Sequence, residues 1–356
     1  MKMFMQHRVA LHDPRLKMVY DNFAANLTDI CRIGQDAGVK VIVSTVVSNL
    51  MDPPFHSMHR AGLHAEQTRL WDSHVEKASS DAKVRRTEQA LEHYQQADQI
   101  DDRHAQLHFD MAHCYLALGK IDLARQHFAQ ARDLDVLRFR ADTRINEIVR
   151  EVAIAQGEAG VFLVDAERAA AESHLAASGI PGSQLLHEHV HLRFEGNHLV
   201  AAAMFPQVIR LLPAAIRGQV SQDMAPPGLH RCAQLTLFNE YFRYANAREI
   251  AMITAEPPFP AQVARRCQAR AKNLEAYLSQ KEIDRAIEAH LPGVARKPND
   301  LLTREHLVLL HIYRGQWGKV VAQLDELNRR YPLYWVWHLE RNTALKHLDK
   351  QGSSRR

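Results

Sequence analysis

The chain has 356 residues, of which 46% are hydrophobic and 24% are charged, and this composition is typical of a globular protein with two or three folding units. Its 45 Lys and Arg residues exceed its 41 Asp and Glu residues by four, a balance that gives no electrostatic footprint for nucleic acid. The four cysteines lie far apart with no CxxC pair, which excludes a readable disulfide framework or zinc knuckle.

Export and membrane segments are not predicted. The N-terminal segment MKMFMQHRVALHDPRL has no apolar stretch of signal-peptide length, and the apolar segment 199–216 is interrupted by Pro206, Arg210 and Pro213. We therefore expect no signal peptide and no membrane span in this chain, with the cytoplasm as the default location, and we expect no cofactor.

The first predicted elements are a helix followed by a strand. Large apolar residues recur every three or four positions between Leu16 and Ile33, Gly38 offers a helix cap, and the β-branched run 39–47 is typical of a strand buried on both faces. The same order returns, with a helix over 139–152 and a strand over 161–164. Two such units predict a parallel sheet with right-handed crossovers.

The segment between these two units has a different, repeating pattern. Three small and aromatic residues recur after 34 positions, which is the period of the tetratricopeptide (TPR) helical hairpin. The pairs are Ala90 and Ala124, Tyr94 and Phe128, and Ala97 and Ala131. A weaker third hairpin is predicted near the C-terminus, with turns at Gly315 and Pro332 and packing residues Val320, Leu324 and Leu327. A generic helical hairpin without TPR ancestry is the alternative.

The most unusual local motif is His187-Glu-His-Val-His191, just after the second predicted strand. The carboxyl ends of parallel strands are where α/β folds place ligand-handling residues. Glu188 and His191 are three residues apart, so the carboxylate can orient the imidazole as a general base. Two alternatives are a solvated His-rich loop and a metal site formed by His187, His189 and His191 along an extended segment.

Four segments together resemble bacterial SGNH/GDSL-type hydrolases that carry TPR hairpins inside the catalytic domain. These segments are VIVSTVVSNLMDPPF, DLDVLRFRADTRINEIVRE, GVFLVDAERAA and HEHVHLRFEGNHLVA, and the resemblance extends over roughly residues 10–345. It implies that Glu188 is the acid and His191 the base of a Ser-His-acid mechanism acting on an ester such as an acylated carbohydrate. The family's Gly-Asp-Ser nucleophile motif does not occur in this sequence, so we expect the chain to lack the nucleophile segment and to be inactive alone.

Other polar residues near the predicted strands have structural interpretations. Ser44 and Ser48 flank the end of the first strand without a nucleophile elbow, which favours structural hydroxyls. Asp142 precedes an apolar helical stripe, which favours a helix N-cap over support of a site.

The predicted fold is α/β plus all-α. It comprises a partial three-layer αβα, flavodoxin-like (SGNH) parallel sheet with an inserted TPR-like hairpin region, followed by a C-terminal helical, TPR-like region. The predicted segments are 1–60 and 138–216 for the α/β part, 61–137 for the inserted hairpins and 217–356 for the C-terminal region. The alternative function is a TPR scaffold that binds a peptide or protein partner.

Overall fold

The computed structural model describes residues 2–217, 224–297 and 299–353. In these ranges the chain forms sixteen α-helices and two β-strands. The strands are β1 (Val41–Ser44) and β2 (Val161–Val164). The helices are α1 (Pro14–Asp36), α2 (Ala65–Lys83), α3 (Thr87–Ile100), α4 (Ala105–Ala117), α5 (Ile121–Asp133), α6 (Thr143–Ala155), α7 (Ala166–Glu172), α8 (Phe194–Leu211), α9 (Ala214–Arg217), α10 (Leu229–Leu235), α11 (Glu240–Ile253), α12 (Ala261–Tyr277), α13 (Gln280–Arg296), α14 (Leu301–Tyr313), α15 (Trp317–Arg330) and α16 (Trp335–Ser353).

The chain divides into two compact units. The first comprises Met1–Pro227 with Ile250–Cys267, and the second comprises Gly228–Glu249 with Gln268–Arg356. The four-segment domain organisation expected from the sequence stays a prediction. None of the helices in the described part is both long and apolar enough to span a bilayer.

The first unit contains a small parallel sheet. β1 and β2 pair in register from Val41 opposite Val161 to Ser44 opposite Val164, so both sequence-predicted strands are confirmed, the first over a shorter range. Helices α1 and α6 pack against the sheet through an apolar cluster that includes Cys31, Ile148 and Val152. Within β1 only Val43 is buried, whereas Val41, Ile42 and Ser44 are half-buried and Val39 and Val46 outside the strand are exposed, so the predicted burial on both faces is not met.

This two-stranded sheet corrects the fold class predicted from the sequence. A three-layer αβα sandwich needs a wider sheet covered on both faces, whereas the described residues contain two strands and are mostly helical. Just beyond β1 the Thr45 N–H still donates to the Val164 carbonyl at 3.2 Å, but the next backbone bonds are to a side chain instead of a strand. The Val46 N–H donates to Asn146 Oδ1 at 2.8 Å, and Asn146 Nδ2 donates to the Val46 carbonyl at 3.0 Å. The predicted partial flavodoxin-like SGNH sandwich is wrong.

The hairpins α2–α3 and α4–α5 form the main core of the first unit. All six residues of the 34-residue repeat are at most 3% exposed, which confirms the predicted packing positions. Gly119 joins α4 to α5 with φ +71°, a left-handed conformation that glycine adopts without steric cost. The small residues of the repeat let the helices approach closely, and Tyr94 and Phe128 fill the space that remains.

The second unit contains the predicted C-terminal hairpin, formed by α14 and α15. Val320, Leu324 and Leu327 are at most 1% exposed, as predicted, and they pack in one cluster with Val308 and Trp337. A second cluster, which includes Tyr241, Phe242, Ile283 and Leu307, joins α13 and α14 to the segment before residue 250. This unit is thus also built by stacking helices.

Candidate functional site

A groove of about 870 Å³ opens on the first unit, on the face formed by helices α3 and α4. Its other walls are the C-terminal end of α2, the turn after α2, the loop around Met51 and the first turns of α12. The lining residues are Met51, Pro53, Ala82, Arg85, Thr87, Tyr94, Gln106, Phe109, Asp110, His113, Cys114, Ala117, Gln262 and Arg266. A groove of this volume lies within the range of ligand-binding clefts, which is about 300–1,000 Å³.

The two repeat helices hold fixed side chains on the groove floor. Tyr94 and Phe109 are nearly buried and belong to the main core. Phe109 packs edge-on against Phe128, with ring centroids 5.5 Å apart. Because these rings are anchored in the core, the floor is preorganised, whereas Arg85, Ala117 and other exposed residues form the rim.

The charges of the groove are unequally compensated. The guanidinium of Arg266 donates to both carboxylate oxygens of Asp52, and its Nη2 also donates to the His187 carbonyl at 3.2 Å. Asp110, by contrast, accepts one hydrogen bond, from Gln106 Nε2 at 2.9 Å, and has no ion pair with any described residue. Asp110 is therefore the uncompensated charge on the floor.

The surroundings of Asp110 determine its titration. Burial raises the pKa of Asp110 to about 6, and the Gln106 hydrogen bond opposes this rise. Burial likewise raises the pKa of Tyr94 to about 12 and that of Cys114 to about 11, with the Asp110 charge adding to both. Near neutral pH, Asp110 is thus ionised while its two titratable neighbours are uncharged.

The loop that forms one wall is held by a buried ion pair. The Asp135 carboxylate accepts from the backbone N–H groups of Phe55 and His56 at 2.8 and 3.2 Å, and from Arg140 Nη2 at 3.2 Å. Arg140 Nη1 donates to the carbonyls of Asn49 and Asp52 at 3.1 and 3.2 Å. The side chains of Arg140 and Asp135 are each 3% exposed. The segment after α5 therefore fixes the loop on which Met51 and Pro53 face the groove.

Glu188 and His191, the sequence-predicted pair, do lie in contact. The His191 ring donates from Nδ1 to Glu188 Oε1, and the His191 backbone N–H donates to the same oxygen at 2.9 Å. Burial alone would raise the pKa of Glu188, but the adjacent His189 ring and the hydrogen bonds from the backbone and ring of His191 outweigh it and lower the pKa to about 2. The Glu188 side chain is fully buried, whereas that of His191 is 53% exposed.

Ser44, Ser48 and Asp142 make hydrogen bonds to other groups. Ser44 Oγ donates to the Thr45 carbonyl at 3.0 Å, and Ser48 Oγ lies 3.5 Å from the Ala141 carbonyl. The Asp142 carboxylate accepts from the Ile145 N–H at 3.0 Å, which confirms the predicted N-cap. Among the described residues, no serine or cysteine side chain hydrogen-bonds His191.

The alternating histidines do not form a metal centre. His189 is buried, its ring stacks on Phe55 with centroids 3.8 Å apart, and its Nε2–H donates to the Pro53 carbonyl at 2.9 Å. In the described ranges, no group of three or more His, Cys, Asp or Glu side chains is arranged to hold a metal ion. His189 is therefore a structural residue that supports the loop.

The sequence reasoning missed the charged residues of the groove. Asp110 lies on α4, four residues after Gln106. This i, i+4 spacing indicates that the two side chains can interact on one face of the helix. The pairing of Asp52 with Arg266 joins residues 214 positions apart, and no local pattern indicates it.

Comparison with known proteins supports the repeats. The family model described as tetratricopeptide repeat matches residues 83–140, which contain α3, α4 and α5. No curated protein matches the chain. The comparisons lend no support to the SGNH/GDSL resemblance or to an ester substrate, while TPR repeats are consistent with a protein partner.

Proposed function

We propose that this chain is a TPR-type protein-interaction module whose groove holds an extended peptide segment of a partner. The observation that carries this proposal is the groove of about 870 Å³ on helices α3 and α4, within the segment that matches the tetratricopeptide repeat. Helical repeats commonly present concave surfaces of this kind to partners.

The lining residues suit a peptide better than a compact apolar ligand. Tyr94, Phe109 and Met51 offer apolar contacts, while the amides of Gln106 and Gln262 can each donate and accept hydrogen bonds. An extended peptide presents unpaired backbone N–H and C=O groups beside its side chains, so both kinds of contact are used. Because the floor is anchored in the core, little ordering entropy is lost on its side of the complex.

Filling the groove should abolish peptide binding. Ala117 is exposed on the rim at the end of α4, so Ala117→Trp places an indole in the opening without disturbing the core. We expect the variant to bind peptides at least about tenfold more weakly than the natural chain, since it occupies the volume that the peptide needs. Binding is measured on immobilised pentapeptide pools, acetylated and amidated, in which the central residue is fixed and the other four are mixed.

The matched control for this experiment is Ala65→Trp. Ala65 is also an exposed helical alanine of the hairpin region, at the start of α2, but it does not line the groove. This control should bind the pools as the natural chain does. Equal binding by Ala117→Trp and the natural chain, or no binding by the natural chain, would refute the groove as the site.

A second proposal concerns Glu188 and His191, which we assign as an orienting carboxylate and a proton-accepting imidazole. The supporting observation is that a buried Glu188 takes the Nδ1–H of a half-exposed His191. The Nε2 atom then keeps its lone pair, and among the described residues none hydrogen-bonds it. Such a pair is the acid and base part of a catalytic triad, and its nucleophile would have to come from elsewhere.

The reactivity of His191 tests this assignment. Diethyl pyrocarbonate transfers an ethoxycarbonyl group to an unprotonated imidazole nitrogen with loss of ethyl carbonate. In Glu188→Gln the amide can present either its oxygen or its NH₂ group to His191, so the imidazole is no longer held in the tautomer with an unprotonated Nε2. We therefore expect the modification of His191 to slow severalfold. Mass spectrometry of digested samples gives the rate, with His338 as the internal reference. An unchanged His191 rate would contradict the orienting role of Glu188.

A further inference from the structure

We infer that the groove selects partners by a lysine or arginine side chain that pairs with Asp110. This inference rests on the proposed function, because it assigns the specificity of the same groove. The partner is thus an extended segment with a basic residue seated over helix α4.

The charge balance of the groove carries the inference. Three side chains with a full charge line it, namely Arg85, Asp110 and Arg266. Arg266 is neutralised by its two hydrogen bonds to Asp52, while Arg85 lies on the exposed turn after α2. Asp110 alone is charged, embedded in the floor and without a cation among the described residues. A carboxylate in a partly desolvated site gains more from a hydrogen-bonded cation than one in open water.

The geometry around Asp110 also leaves room for such a bond. Gln106 Nε2 occupies Oδ1, so Oδ2 still has its acceptor capacity. The neighbouring floor residues Phe109 and Tyr94 are aromatic, and they provide apolar contact for the methylene stem of a long basic side chain. The site therefore fits both the head and the stem of lysine or arginine.

Two substitutions test this inference on the same pentapeptide pools, one that removes a negative charge and one that removes a positive charge. Asp110→Asn keeps the shape and removes the charge, and we expect binding to the pools with central Lys or Arg to fall about tenfold while the pools with uncharged central residues change little. Arg85→Gly removes a repelling charge, and its φ of +61° is a conformation that glycine adopts freely. This variant should bind the basic pools at least as tightly as the natural chain.

The pH dependence provides an independent measurement. Since the pKa of Asp110 is raised to about 6, its charge is present above that pH and is lost as the pH falls through it. Of the groups facing Asp110, burial places the pKa of Tyr94 near 12 and that of Cys114 near 11, well above this window, and burial lowers the pKa of His113 from its ordinary value. The preference for basic pools should therefore fall about tenfold from pH 7.5 to pH 5, and Asp110→Asn should remove this dependence.

The outcomes separate this inference from the proposed function. If Ala117→Trp abolishes binding but the natural chain shows no preference for basic pools, the groove is a peptide site and the role of Asp110 is wrong. The same conclusion holds if Asp110→Asn keeps the preference. If Ala117→Trp has no effect on binding, the proposed function itself is wrong.

Discussion

Replacing Phe128 with alanine is expected to lower the free energy of unfolding of the first unit by about 3–5 kcal/mol, the usual loss for a buried aromatic residue. Phe128 is 1% exposed and packs edge-on against Phe109 and His113, with centroid distances of 5.5 and 5.0 Å. Its removal leaves a cavity between α4 and α5 that their fixed spacing cannot close. Urea unfolding followed by far-ultraviolet circular dichroism measures the loss.

The matched control lies on the same helix. Leu123 is 40% exposed, so Leu123→Ala removes a hydrophobic side chain of α5 without opening a cavity, and we expect a loss below about 1 kcal/mol. Equal losses for both variants would show that α5 does not pack as described. Because Phe128 supports Phe109 and His113, which line the groove, Phe128→Ala should also weaken peptide binding.

The repeat could be predicted from the sequence because its packing is local. Each hairpin places small residues at the same packing positions, so Ala90 on α3 and Ala124 on α5 recur at the 34-residue period. The contact of Glu188 with His191 was predictable because the two lie three positions apart in the chain.

The wider fold could not be predicted in this way. The β-branched run 39–47 indicates a strand, but its pattern does not say how many strands pair with it. The bonds of the Asn146 side chain to the backbone of Val46, just after the strand, join residues 100 positions apart. The charge of the groove could not be predicted for the same reason, because it depends on whether a distant carboxylate such as Asp52 neutralises Arg266. An ion pair between residues far apart in the chain leaves no periodic pattern in the sequence.

Replacing Arg140 with alanine should also cost about 3–5 kcal/mol, because it leaves the buried Asp135 carboxylate without its cation. It removes as well the two hydrogen bonds that Arg140 donates to the carbonyls of Asn49 and Asp52. Arg140→Lys keeps the charge but cannot reproduce the forked geometry, so we expect an intermediate loss. The same urea titration measures all three proteins.

The control for this prediction is Arg144→Ala. Arg144 donates to Glu151 at 2.6 and 3.0 Å, yet its side chain is 43% exposed and that of Glu151 is 58% exposed, so solvent screens the pair, and we expect a loss of about 0–1 kcal/mol. Because Arg140 holds the loop that carries Met51 and Pro53, Arg140→Ala should also reduce peptide binding under conditions in which the variant remains folded. A stable Arg140→Ala variant with unchanged binding would show that the groove wall does not depend on this ion pair.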